Sequence, residues 1–105
     1  MLLPGELNSL SLVDAAHLIA DGGASPVELT AACLQRIEAL QTRVNAFITV
    51  TDDDALYEAG TIEADLARGD AVGPLAGVPI ALKDLFDTAG VRTTAGSRFF
   101  ADRIP

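Results

Sequence analysis

The sequence is poor in the residues that most often fasten a chain or do its chemistry. Across 105 residues there is one cysteine, one histidine and one lysine. A single thiol, Cys33, cannot close an internal disulfide, so nothing implies an oxidising compartment. Cys33 falls on the apolar stripe of a predicted helix and reads as a small buried hydrophobe rather than a nucleophile. One histidine, His17, excludes a histidine-rich metal centre and leaves no partner set for a His-based triad. No apolar run approaches the length of a membrane span. Met1-Leu2-Leu3-Pro4 lacks the basic start and apolar stretch of a signal peptide, so the cytoplasm is the expected location.

Basic charge is also scarce. The formal net charge is −8. Residues 1–82 hold three arginines against twelve carboxylates, whereas residues 83–105 carry a net charge of +1. An acidic body repels phosphates, which argues against direct nucleic-acid binding. Half of the residues are hydrophobic, the composition of a globular chain with a modest core.

Residues 1–10 read as an irregular lead-in. Ser11 caps a first predicted helix from Leu12 to about Asp21, with Leu12, Ala15, Ala16 and Ile19 at helical spacing. Gly22-Gly23 ends it. Ser25-Pro26-Val27-Glu28 is a strong helix start: a hydroxyl at the N-cap, proline at the first position, and Glu three residues after the cap. Leu29, Cys33, Ile37 and Leu40 continue that helix to about Gln41 or Thr42. Residues 44–50 are rich in β-branched side chains and read as a strand. Asp52-Asp53-Asp54 opens a third helix, its carboxylates at the positive end of the dipole. Their spacing does not match a calcium loop. Ala55, Ala59, Ile62 and Leu66 form the stripe, and Arg68-Gly69 closes it. Val78-Pro79-Ile80-Ala81-Leu82 reads as a second strand, with Pro79 at its start or edge. Thr88-Ala89-Gly90 reads as a turn and residues 91–98 as a small-residue loop. The expected class is therefore α/β, with three amphipathic helices and two or three short strands. Those helices need a sheet or further helices to cover their stripes, so the chain reads as part of a larger fold.

Lys83 is the only lysine; the other six basic residues are arginines. It stands where the apolar run stops. Arginine cannot shed its proton in a protein, whereas a desolvated lysine can, and a neutral amine serves as a general base.

Residues 73–84, GPLAGVPIALKD, resemble the N-terminal motif of the amidase signature family, and residues 87–97, DTAGVRTTAGS, extend the likeness. Ser25-Pro26-Val27-Glu28-Leu29 and Val44-Asn45-Ala46-Phe47 also look like this family. The resemblance implies the N-terminal part, residues 1–105, of a single amidase-signature domain, a central mixed sheet covered by helices. It implies an enzyme that cleaves carboxylic amide C–N bonds through a Ser–cis-Ser–Lys triad, with Lys83 as the catalytic lysine. The two serines belong to or flank a GGSSGG stretch that these residues do not contain. Ser97 lies in a different segment and reads as a turn residue. The 105-residue chain alone is therefore expected to be inactive. The implied partners are a small-molecule amide and the remainder of the domain, with no cofactor, metal, membrane or direct nucleic acid; self-association is compatible with all of this. The resemblance is shared by the A subunit of tRNA-dependent amidotransferases. A non-catalytic interaction module is the alternative from another class.

Overall fold

The computed structural model describes residues 2–105. Among these residues there are four α-helices, one short 3-10 helix and no strand. Helix α1 spans Pro4–Leu7, α2 Leu12–Ala20, α3 Pro26–Val44 and α4 Asp52–Ala67. The lead-in is thus partly helical: Pro4 takes the first helical position, where its missing N–H costs nothing.

Serine caps set the starts of α2 and α3. The Ser11 hydroxyl accepts from the Asp14 N–H at 3.1 Å, and that of Ser25 accepts from the Glu28 N–H at 3.2 Å. The Ser25 hydroxyl also donates to the Glu63 carboxylate, which ties the start of α3 to α4. Helix α4 begins on Asp52, Asp53 and Asp54 and ends at Arg68, with Gly69 at φ 76°. A left-handed residue at that point lets the chain leave the helix.

The expected strands did not form, which corrects the α/β assignment. Val44 is the last residue of α3, and Asn45 stops the helix in the left-handed region at φ 47°, ψ 45°. The Gln41 side chain then grips the next segment. It accepts from the Phe47 N–H at 3.2 Å and donates to the Phe47 carbonyl at 2.5 Å. β-Branched content describes a side chain that suits a pleated surface, and no such surface is present here. Residues 78–82 likewise pair with no other described segment. Pro79 has no N–H to donate, and Ile80 and Leu82 are exposed. Among the described residues the one bridge is an isolated antiparallel pair, Thr88 and Val91, across the turn at Gly90.

The core is small. Leu7, Ala15, Ile19, Leu29 and Ala32 are buried together where α1, α2 and α3 meet, and Leu10, Cys33, Leu66 and Val78 pack against them. Alanine at two of these positions brings the helices close but removes little apolar area from water. Gly77 enters this packing at φ +85°, where an added Cβ would lie 2.9 Å from Pro26 Cγ and 3.3 Å from Ile19 Cδ1. Gly77 and Val78 therefore fix the route of the chain from the helices to Lys83.

Candidate functional site

Lys83 follows the unpaired segment 78–82 and opens a turn in which the Phe86 N–H donates to its carbonyl at 3.0 Å. The side chain is exposed. Among the described residues, no hydrogen bond or ion pair holds its amine. The desolvation that would favour a neutral amine is therefore not supplied by these residues.

One side of Lys83 faces a trough of about 700 Å³. Its walls come from α3 at Leu34 and Ile37, from α4 at Glu58 and Ile62, and from residues 46–51 and 77–84. The trough brings Lys83 to a mixed surface, in which Leu34, Ile37 and Ile62 alternate with Asp54, Glu58, Arg92 and several threonines.

Next to Lys83, at the rim of the same trough, stands a polar clamp. The Asp84 carboxylate accepts from the Thr94 N–H at 2.9 Å, from the Thr94 hydroxyl, and from the Gly96 N–H at 3.3 Å. The Asp84 carbonyl accepts from the Ala95 N–H at 2.9 Å. Thr93 and Thr94 are both buried. The Thr94 hydroxyl, followed by its N–H, holds the Asp84 carboxyl below the usual carboxylate range. The turn these donors form has left-handed residues at Ala95, φ 53°, and Gly96, φ 71°. A second clasp lies just beyond. Arg103 donates to both oxygens of Asp87, at 2.7 and 3.0 Å. This lowers the Asp87 carboxyl through the hydrogen bond first and the charge second. The Thr93 N–H in turn donates to the Arg103 carbonyl at 3.0 Å.

The remaining sequence candidates fall elsewhere. Ser97 caps the 3-10 helix Arg98–Phe100, accepting from the Phe99 N–H at 3.1 Å, so it is a turn residue. His17 is exposed on α2. Cys33 is half-buried, and burial pushes its thiol up, partly offset by Arg36. Sequence reasoning missed Asp84 and Thr94. The signal was there in a carboxylate beside the lone lysine and two adjacent threonines in a loop of otherwise small residues.

Comparison with known proteins decides the family. The model of the Amidase family matches residues 28–105, most of the chain and the whole of the Lys83 region. The chain belongs to the amidase signature family. This amidase segment is 47% identical over 100 residues to a protein of Salinispora tropica that is named as the A subunit of glutamyl-tRNA(Gln) amidotransferase. Proteins of the same name from Moorella thermoacetica and Geobacter sulfurreducens are each 48% identical over 100 residues. Each comparison covers 95% of this chain. The amidase segment spans about a fifth of the length of these curated relatives. No solved structure matches it significantly.

Proposed function

We propose that this chain is the lysine-bearing segment of an enzyme that cleaves carboxylic amide C–N bonds, with Lys83 as its general base. The observation that carries the reading is the family match running through the lone lysine, which lines a trough next to the hydrogen-bonded Asp84–Thr94 clamp. In this reading the other parts of the site, a nucleophilic serine and a bridging serine, are supplied by the rest of the amidase domain. The same region covers the exposed Lys83 side chain and withdraws it from water. Its neutral amine accepts the proton of the bridging serine, which accepts that of the nucleophile as the nucleophile attacks the amide carbonyl. The amine leaves with a proton, and water releases the acid from the acyl-enzyme. The 105 residues alone have no turnover, because none of Ser9, Ser11, Ser25 and Ser97 lies in a glycine-rich nucleophile loop.

The name these relatives share favours a more specific second reading, a segment of an amidotransferase A subunit that works with other subunits. Water still releases the acid from the acyl-enzyme, but the ammonia, instead of escaping to solution, displaces the leaving group of a glutamyl-tRNA(Gln) side-chain carboxyl that has been activated elsewhere in the assembly. The acidic surface of residues 1–82 keeps this segment itself away from the tRNA.

The test is a completed enzyme in which residues 1–105 replace the matching fifth of the Salinispora tropica relative. Ammonia release from glutamine is measured for the parent and for Lys83→Ala. Loss of turnover in Lys83→Ala, and none at all from residues 1–105 alone, is the expected result. Lysine-dependent turnover by the 105 residues alone refutes the reading.

A further inference from the structure

The clamp beside Lys83 does more than close a loop. All four of its donors come from three consecutive residues, Thr94, Ala95 and Gly96, and all four acceptor contacts fall on Asp84. The main chain of Asp84 is caught as well as its side chain, so neither the position nor the direction of the backbone next to Lys83 can drift. The turn is then held from its far side. Thr93 donates to the Arg103 carbonyl, and the Arg103 guanidinium returns to Asp87 with two hydrogen bonds. The Lys83 carbonyl is fixed by the Phe86 N–H. Residues 83–87 are thereby pinned at Lys83, Asp84 and Asp87, the last two to a segment roughly ten to sixteen residues further along the chain.

Two further observations give this arrangement a purpose. Ala95 adopts φ 53°, a left-handed conformation that is unfavourable for a residue with a Cβ. Such strain persists only where the surroundings over-determine it, as the four Asp84 contacts do here. In addition, the Asp84 carboxylate is satisfied entirely by neutral donors. It makes no ion pair with Lys83 among the described residues. A carboxylate one residue from a lysine is an obvious counter-ion, and a counter-ion would hold the amine in its charged form. Engaging that carboxylate with Thr94 and Gly96 keeps it from this use.

We infer that Asp84 is the positioning residue for Lys83: by binding the Thr94–Gly96 turn it sets where the amine stands, and it leaves the amine without a neighbouring counter-ion. The inference rests on the reading of Lys83 as the base. Asp84 touches neither substrate nor serine; it acts through the backbone it fixes. A displacement of about 1 Å at a reacting group can cost 10²-fold in rate, so the effect belongs on turnover rather than on substrate binding.

The completed enzyme tests this with Asp84→Asn, Thr94→Val and Thr94→Ser beside Lys83→Ala and Lys83→Arg. Asp84→Asn and Thr94→Val are each expected to lower kcat by about ten- to hundredfold with KM within about twofold. Thr94→Ser, which keeps the hydroxyl donor, restores most of what Thr94→Val loses. The double variant Asp84→Asn/Thr94→Val falls little below the worse single one, because both break the same contact. Unchanged kcat in both single variants, with Lys83→Ala and Lys83→Arg inactive, overturns the positioning role and leaves the base reading standing. Substantial activity in Lys83→Arg overturns the base reading instead. If Asp84→Asn yields no folded enzyme, the two Thr94 variants decide. A loss confined to the folded fraction, with kcat per folded molecule unchanged, also overturns the inference.

Discussion

Replacing Gly77 by alanine is expected to destabilise the chain far more than the same change at a geometrically similar glycine. Gly77 sits at φ +85°, and an alanine there bears a backbone cost of about 1–2 kcal/mol. Its Cβ would also meet Pro26 Cγ at 2.9 Å, Pro26 Cβ at 3.1 Å and Ile19 Cδ1 at 3.3 Å. The proline ring cannot rotate away, and it is buried at the first position of α3. Ile19 belongs to the core. Forcing a methyl group into such packing costs about 1–3 kcal/mol more. The total, about 2–5 kcal/mol, is a large part of the roughly 5–15 kcal/mol that holds a typical domain together. Gly69 is the control. It has φ +76°, and an added Cβ there meets nothing within 4 Å. Gly69→Ala therefore carries the backbone cost alone, about 1–2 kcal/mol. Urea unfolding followed by helical circular dichroism gives the two midpoints. A Gly77→Ala midpoint well below that of Gly69→Ala is the expected result. Equal midpoints refute the packing argument and with it the claim that Gly77 fixes the route to Lys83.

Three other consequences are open to measurement. Folding lowers the Asp84 and Asp87 carboxyls, so their stabilisation is fully present above the unfolded value of about 4 and is lost as pH falls through the lower folded values. The amide NMR signals of Thr94 and Gly96 should therefore hold steady down to about pH 4 and move together below it; a midpoint well above that contradicts the clamp. Cys33, half-buried and with its thiol pushed up, should alkylate at least roughly tenfold more slowly in the folded chain than in urea, and equal rates would contradict its packing against the core. Ser25→Ala removes both the α3 cap and the tie to Glu63, and a loss of about 0.5–2 kcal/mol in urea unfolding is expected; no loss would show that neither contact matters.

The helices were legible where local chemistry decides them. Ser11, Ser25 and the Asp52–Asp54 run mark starts that the structure uses, and Gly22 and Gly69 stand just past the ends of α2 and α4. The extended segments were not legible, because a strand exists only through its partner. Val44 fits a helix end as well as a strand, and residues 78–82 are apolar without a neighbour to pair with. The short α1 was missed because four residues leave no periodic stripe to read. At the site, the sequence showed that Lys83 ends an apolar run, but not that Ile80 and Leu82 in that run are exposed. The exposure of Lys83 was not legible either, since burial depends on what is packed around the end of a run. The Asp84–Thr94 clamp spans ten residues and two turns, and no sequence period reports such a contact.

In the function proposed, Lys83 acts as a base and not as a surface charge. Lys83→Arg in the completed enzyme tests it most directly, because the positive charge stays while the capacity to accept a proton is lost. Lys83→Arg is expected to fall as far as Lys83→Ala, by roughly 10²–10⁴-fold in kcat, with the fold intact by circular dichroism. An arginine variant that keeps about half of the parent's activity would contradict it.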